Sequence, residues 1–250
     1  MFDTPKNTIE FKVYGRYALF TDPITKLGGE KCSYQIPTYE AVKGIVKSIY
    51  WKPTFIWVID EVRVMKSVEM ESKGIRTIKY YGGPGGLYFY TYLKNVEYQV
   101  RAHFEWNFSR RELEKDRIDG KHFEIAKRSL ERGGRQDIFL GARECQGYVE
   151  PCKFSNNKGF YDDVEELSFG TMFHSFGYPN ETGSDKLTTR LWKNAGMTEG
   201  IINFKKIDGE KDIIERKVKP MTQKKYEIDG NVLNIDKEYS NMFKNERGIL

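Results

Sequence analysis

The sequence predicts an α+β protein. Three observations carry the prediction: a strand of strict alternation near residue 100, two amphipathic helical segments, and an order of elements that runs strand, helix, strand, strand, helix, strand. That order is the split βαβ arrangement, also called ferredoxin-like or RRM-like. It accounts for residues 1–150. A small antiparallel β-sheet module is expected over 151–220 and a polar C-terminal tail over 221–250. The fold hosts many functions and decides none of them.

The elements are justified in chain order. Ile9, Phe11 and Val13 alternate with Glu10 and Lys12, as in a half-buried strand. Pro37-Thr38 opens a helical pattern with Ala41, Val42, Ile45, Val46 and Ile49 on one face, and Pro53 stops it. Phe55–Val64 is β-branched and aromatic, a second strand. Residues 65–92 read as an irregular stretch around Gly82-Gly83-Pro84-Gly85-Gly86. Val96, Tyr98, Val100, Ala102, Phe104 and Trp106 alternate with polar residues, the third strand. A second helix is expected over Lys121–Arg132, with Asp119 as N-cap and Gly133 as C-cap. Strand material follows at Asp137–Gly141 and Gly147–Val149. In the second module short strands are expected at Thr171–Phe176, Leu187–Trp192 and Ile201–Phe204. In the tail, a weak hairpin is expected around Asp229-Gly230.

Composition narrows the class. With 39% hydrophobic and 31% charged residues the 250-residue chain can build a core, which excludes a wholly disordered chain, a collagen and a coiled coil. Mean hydropathy is −0.65, and no apolar run approaches the ~18 residues of a membrane span. The N-terminus lacks a signal pattern and three cysteines do not make a disulfide scaffold, so the expected compartment is the cytoplasm. Forty-one Lys and Arg against 36 Asp and Glu give +5, so the clustering of charge matters more than its sum.

No metal is expected. His103, His122 and His174 show no His-x-x-x-His spacing, Cys145 and Cys152 are not a Cys-x-x-Cys pair, and Asp162-Asp163 with Glu165-Glu166 reads as a solvated acidic loop. No cofactor is expected either, because the glycine motifs of nucleotide sites are missing. Lys43, Lys47 and Tyr50 fall at i, i+4 and i+7 on the first helix. This is either a solvated lysine face or a basic ridge ending in a phenol. Lys121 and His122 open the second helix after Gly120. His122 is either an idle first-turn residue or a neutral imidazole beside a lysine, equipment for acid–base chemistry on a phosphate. Arg128, Arg132 and Arg135 surround Gly133-Gly134, a basic loop through which backbone can approach phosphates closely.

Longer strings then carry a resemblance. Tyr17-Ala18-Leu19-Phe20-Thr21-Asp22-Pro23, Gly28-Gly29-Glu30-Lys31, Ser48-Ile49-Tyr50-Trp51-Lys52-Pro53, Asp116-Arg117-Ile118-Asp119-Gly120-Lys121-His122 and the run Asp137–Val149 resemble the Cas-five proteins of type I-C CRISPR systems. These are the subtype-C, or "d", variant that processes CRISPR RNA. The resemblance runs from about residue 8 to residue 220. It implies a metal-independent endoribonuclease that cuts precursor CRISPR RNA in the repeat, at the base of its hairpin. The enzyme then stays on the 5′ handle beside the backbone and large subunits of the type I-C Cascade complex. It also implies Tyr50, Lys121 and His122 as catalytic residues, without deciding which of Tyr50 and His122 is the base. Lys43, Lys47, Arg128, Arg132 and Arg135 are the expected RNA contacts. The alternative is a non-catalytic subunit that caps the 5′ handle. Residues 222–250 lie outside the resemblance and are expected to be dispensable for cutting.

Overall fold

A computed structural model of the chain describes residues 7–27, 29–78, 82–83, 85–207, 209, 211–224, 236 and 239–240. The hairpin expected around Asp229-Gly230 lies outside them. The fold is mostly antiparallel sheet with few, short helices.

In chain order the elements are β1 (Ile9–Ala18), α1 (Pro23–Leu27), α2 (Tyr39–Ile49), β2 (Phe55–Val64), β3 (Glu69–Arg76) and β4 (Leu87–Trp106). After a 3₁₀ turn over Arg111–Asp116 come α3 (Lys121–Glu131), β5 (Ile138–Phe139), β6 (Gln146–Pro151) and β7 (Glu166–Gly177). The chain continues through α4 (Pro179–Thr182), β8 (Lys186–Thr198), β9 (Ile201–Asn203) and β10 (Ile213–Pro220). The sheet runs β10-β8-β9-β2-β4-β1-β6-β5, with β3 added on β4 and β7 on β8.

The local reasons are those the sequence offers. Ile9, Phe11 and Val13 of β1 are buried at alternate positions. Thr38 caps α2, its Oγ1 accepting from the Ala41 N–H at 3.2 Å. Val42, Ile45, Val46 and Ile49 bury the apolar stripe of α2, and the backbone turns extended at Tyr50. That helix packs on β2, while α3 packs on β1 and β6 through Ala126 and Leu130, all within one core.

Three expectations need correction. The stretch 65–92 is not irregular: β3 and the first half of β4 form a hairpin that reaches beyond the sheet, pairing Glu69 with Lys94 through to Arg76 with Leu87. Second, α3 is not capped by Asp119. Gly120 occupies the N-cap at φ +75°, a left-handed conformation that costs glycine little, and gives no side-chain cap. Gly133 does follow the helix end at φ +83°. Third, the C-terminal strands are continuous with the main sheet. The pairs Glu61–Asn203, Val62–Ile202 and Arg63–Ile201 join β9 to β2.

The tail also begins in contact with the body. Gln223 Nε2 donates to the Pro179 carbonyl at 3.1 Å, and the Lys224 N–H to Asn180 Oδ1 at 2.9 Å.

Candidate active site

The end of α2 and the start of α3 meet at one point. Tyr50, the residue after the last turn of α2, places its hydroxyl 2.9 Å from His122 Nδ1. The Tyr50 carbonyl is held in turn by Trp57 Nε1 at 2.7 Å, which ties the end of α2 to β2. His122 Nε2 lies 2.8 Å from the Asp116 carbonyl oxygen. A carbonyl only accepts, so in the neutral ring Nε2 carries the proton and Nδ1 receives the Tyr50 O–H.

Lys121 stands outside this pair. Its Nζ lies 2.6 Å from Asp116 Oδ1, and Thr54 Oγ1 donates to Asp116 Oδ2, also at 2.6 Å. These two partners hold the Asp116 carboxyl below its ordinary range. Burial and the nearby Asp116 charge push the Tyr50 phenol up, and Arg135 partly opposes them.

The two rings are buried, at 2% exposed for Tyr50 and 1% for His122. Phe55 packs on both, with ring centroids 5.7 Å from Tyr50 and 5.3 Å from His122, and Trp106 meets His122 edge-on at 5.8 Å. His122 is therefore not the open first-turn residue its place after Gly120 implies. The reason is that its imidazole turns back onto the 3₁₀ turn rather than outward along the helix axis.

The expected RNA contacts divide. Lys43 and Lys47 are no exposed ridge, because both ammonium groups close on Glu181, at 2.5 and 2.9 Å, and Lys43 is 6% exposed. Helix α4 had no sequence signal, so nothing announced that it would bring a carboxylate to this face of α2. Arg128, Arg132 and Arg135 do stay exposed. The Arg135 N–H donates to the carbonyls of Ser48 and Ile49, both at 3.2 Å, so the glycine-arginine loop crosses the end of α2 beside Tyr50. Asp116 is the site residue that the sequence reading passed over. It stands in the same string as Lys121 and His122, which was the signal that could have found it.

Elsewhere, His103 pairs through Nδ1 with buried Asp60 at 2.9 Å, and His174 stacks on Tyr39 with centroids 4.5 Å apart. Burial lowers the pKa of His174 to about 4. No described helix is long and apolar enough to cross a membrane.

A buried tyrosine–histidine pair with a lysine at its rim, beside an exposed arginine loop on a mostly antiparallel sheet, defines a candidate acid–base site. A family model described as "CRISPR-associated protein (Cas_Cas5)", of the Cas5d type, matches residues 8–205, and the chain belongs to this family.

Two curated relatives are each named "CRISPR pre-crRNA endoribonuclease Cas5d". The one from Mannheimia succiniciproducens is 42% identical over 66 residues, which is 26% of this chain and 28% of the relative. The one from Thermus thermophilus is 36% identical over 58 residues, 23% of this chain and 24% of the relative. The matched segments thus span about a quarter of these relatives. Two solved structures match far more of the chain. One is titled "Crystal Structure of CRISPR-associated Protein" (TM-score 0.70, 33% identity), and the other is a functionally uncharacterized protein, SMU1763c, from Streptococcus mutans (TM-score 0.69, 36% identity). In both cases 84% of this chain and 96% of the other are covered.

Proposed function

We propose that this protein is an endoribonuclease that cuts precursor CRISPR RNA within the repeat, at the base of its hairpin, and keeps the 5′ handle as a subunit of a type I-C Cascade complex. The single observation that carries the reading is the 2.9 Å contact between Tyr50 and His122, with Lys121 beside it. The names of the curated relatives support the substrate.

RNA brings its own nucleophile. Tyr50 passes its proton to His122 Nδ1 and takes the proton of the 2′-hydroxyl; the 2′-oxygen bonds to phosphorus; the bond to the 5′-oxygen breaks. The proton gathered at His122 returns to that leaving oxygen, and a 2′,3′-cyclic phosphate remains. Lys121 steadies the charge that builds on the phosphate oxygens, and Arg135 and the loop from Arg128 hold the backbone. Because the nucleophile is internal to the substrate and Lys121 supplies the positive charge, the proposed reaction needs no metal.

We read the strand order β2-β4-β1-β6, with α2 and α3 as its crossovers, as the ferredoxin-like core. Residues 1–150 then carry the site and the RNA surface, 151–220 brace them through Glu181, and 221–250 form the tail. The protein would work in the cytoplasm.

One observation favours a second reading, the non-catalytic cap. Both rings are buried and Lys121 is paired, so the site must open before RNA can reach it. Incubation of the repeat hairpin with excess EDTA under single-turnover conditions tests the proposal. We expect cleavage, its loss with a 2′-deoxy nucleotide at the cut, and a fall of about 10²–10⁴-fold for Tyr50→Phe. Tight binding with no cleavage supports the cap.

A further inference from the structure

Beside the candidate active site lies a cavity of about 240 Å³, lined by Lys47, Trp51, Pro53, Phe55 and Asn107 among others. We infer that it is a subsite for one unpaired nucleobase, the base of a nucleotide flanking the scissile phosphate, and that Trp51 is the surface on which this base stacks. The inference rests on the nuclease reading above and adds to it a binding subsite and its ligand.

Position argues for it first. Phe55 lines the cavity and packs on both Tyr50 and His122, so the cavity and the acid–base pair share a wall. Trp51 follows Tyr50 directly in the chain.

The chemistry of the lining agrees. Trp51 is 46% exposed, whereas Trp57, six residues on, is fully buried. A large ring left in water beside a proline and a phenylalanine offers π-surface that no core contact uses, and every base has a π-face to set against it. The Asn107 amide is already engaged: its Nδ2 donates to the carbonyls of Pro53 and Asn180, and its Oδ1 accepts from the Ser109 N–H. It has little left with which to read a base edge.

The test uses the full chain and repeat hairpins that carry an abasic nucleotide on either side of the cut, one at a time. Trp51→Ala should lower single-turnover kcat/KM about ten- to a hundredfold, the range of one base–aromatic stack, and Trp51→Phe only a few-fold. The abasic substitution at one of the two positions should cost the wild type a similar factor and cost Trp51→Ala nothing more. Wild-type rates in Trp51→Ala, or losses that multiply at both positions, would overturn the subsite. Should the wild type bind hairpins and cut none, the nuclease reading fails and the subsite is read from binding instead. RNA should then quench a tryptophan emission that Trp51→Phe lacks, and equal quenching in both proteins would overturn it.

Discussion

At the scale of single residues, the candidate site is a problem of buried hydrogen bonds. Tyr50, His122 and Asp116 form a chain in which each partner fixes the next, and a buried polar chain is stable only when every member is satisfied. Truncating His122 to alanine would open a cavity among Tyr50, Phe55 and Trp106, so Tyr50→Phe is the cleaner probe of chemistry. Asp116 carries a pH prediction. Its carboxyl is lowered by Lys121 and Thr54, so its folded value lies below its unfolded one. The stability it supplies is complete above the ordinary carboxylate range and is lost as pH falls through the lowered folded value. The urea midpoint of the wild type should drop across that acid window more steeply than that of Asp116→Asn, and parallel curves would refute the linkage. The sequence singles out Tyr50, Lys121 and His122, and the structure brings the first and last of them together. The burial of the Tyr50 and His122 rings was not legible, because a helix start says nothing of where a ring folds back.

The elements that position the site differ in how openly they announced themselves. Helix α2 was legible to within a residue, because an N-cap, an apolar stripe and a following proline all act locally. The β3–β4 hairpin was missed for an equally physical reason. One face of β3, with Met70, Ser72, Gly74 and Arg76, is exposed and the other, with Glu71, Lys73 and Ile75, is only half-buried, so no alternation of apolar and polar residues is required and none is present. The Lys43–Glu181–Lys47 contact was invisible too, since it joins residues far apart in the chain. It pins α2 against α4, and thereby the position of Tyr50. Glu181→Gln keeps the shape and leaves the two lysines, one of them buried, without their counter-charge. We expect a loss of about 3 kcal/mol, measured as a shift in the urea midpoint. A loss under about 1 kcal/mol would show that the contact behaves as a surface pair.

For the whole molecule, the decisive fact is the pairing of β9 with β2. Three residues of β9 convert what the composition presents as an appended module into further strands of one sheet, and Ile202 is fully buried at the seam. Strand pairing across more than a hundred residues leaves no local mark in the sequence. The prediction at this scale is a single cooperative unfolding transition. Trp57 and Trp106 report on the first part and Trp192 on β8, so tryptophan emission and far-ultraviolet circular dichroism should give coincident urea curves. Two separated steps would show that the C-terminal strands fold on their own.

The bond from His122 to the Asp116 carbonyl has one more consequence. A proton held there beneath the surface meets solvent only when the enclosing groups part, so its exchange lifetime measures how often they do. In the free protein this imidazole proton should give a sharp, persistent resonance. An RNA that pries the rings apart should broaden it, and the exchange rate would then serve as a clock for the opening that any cleavage has to await.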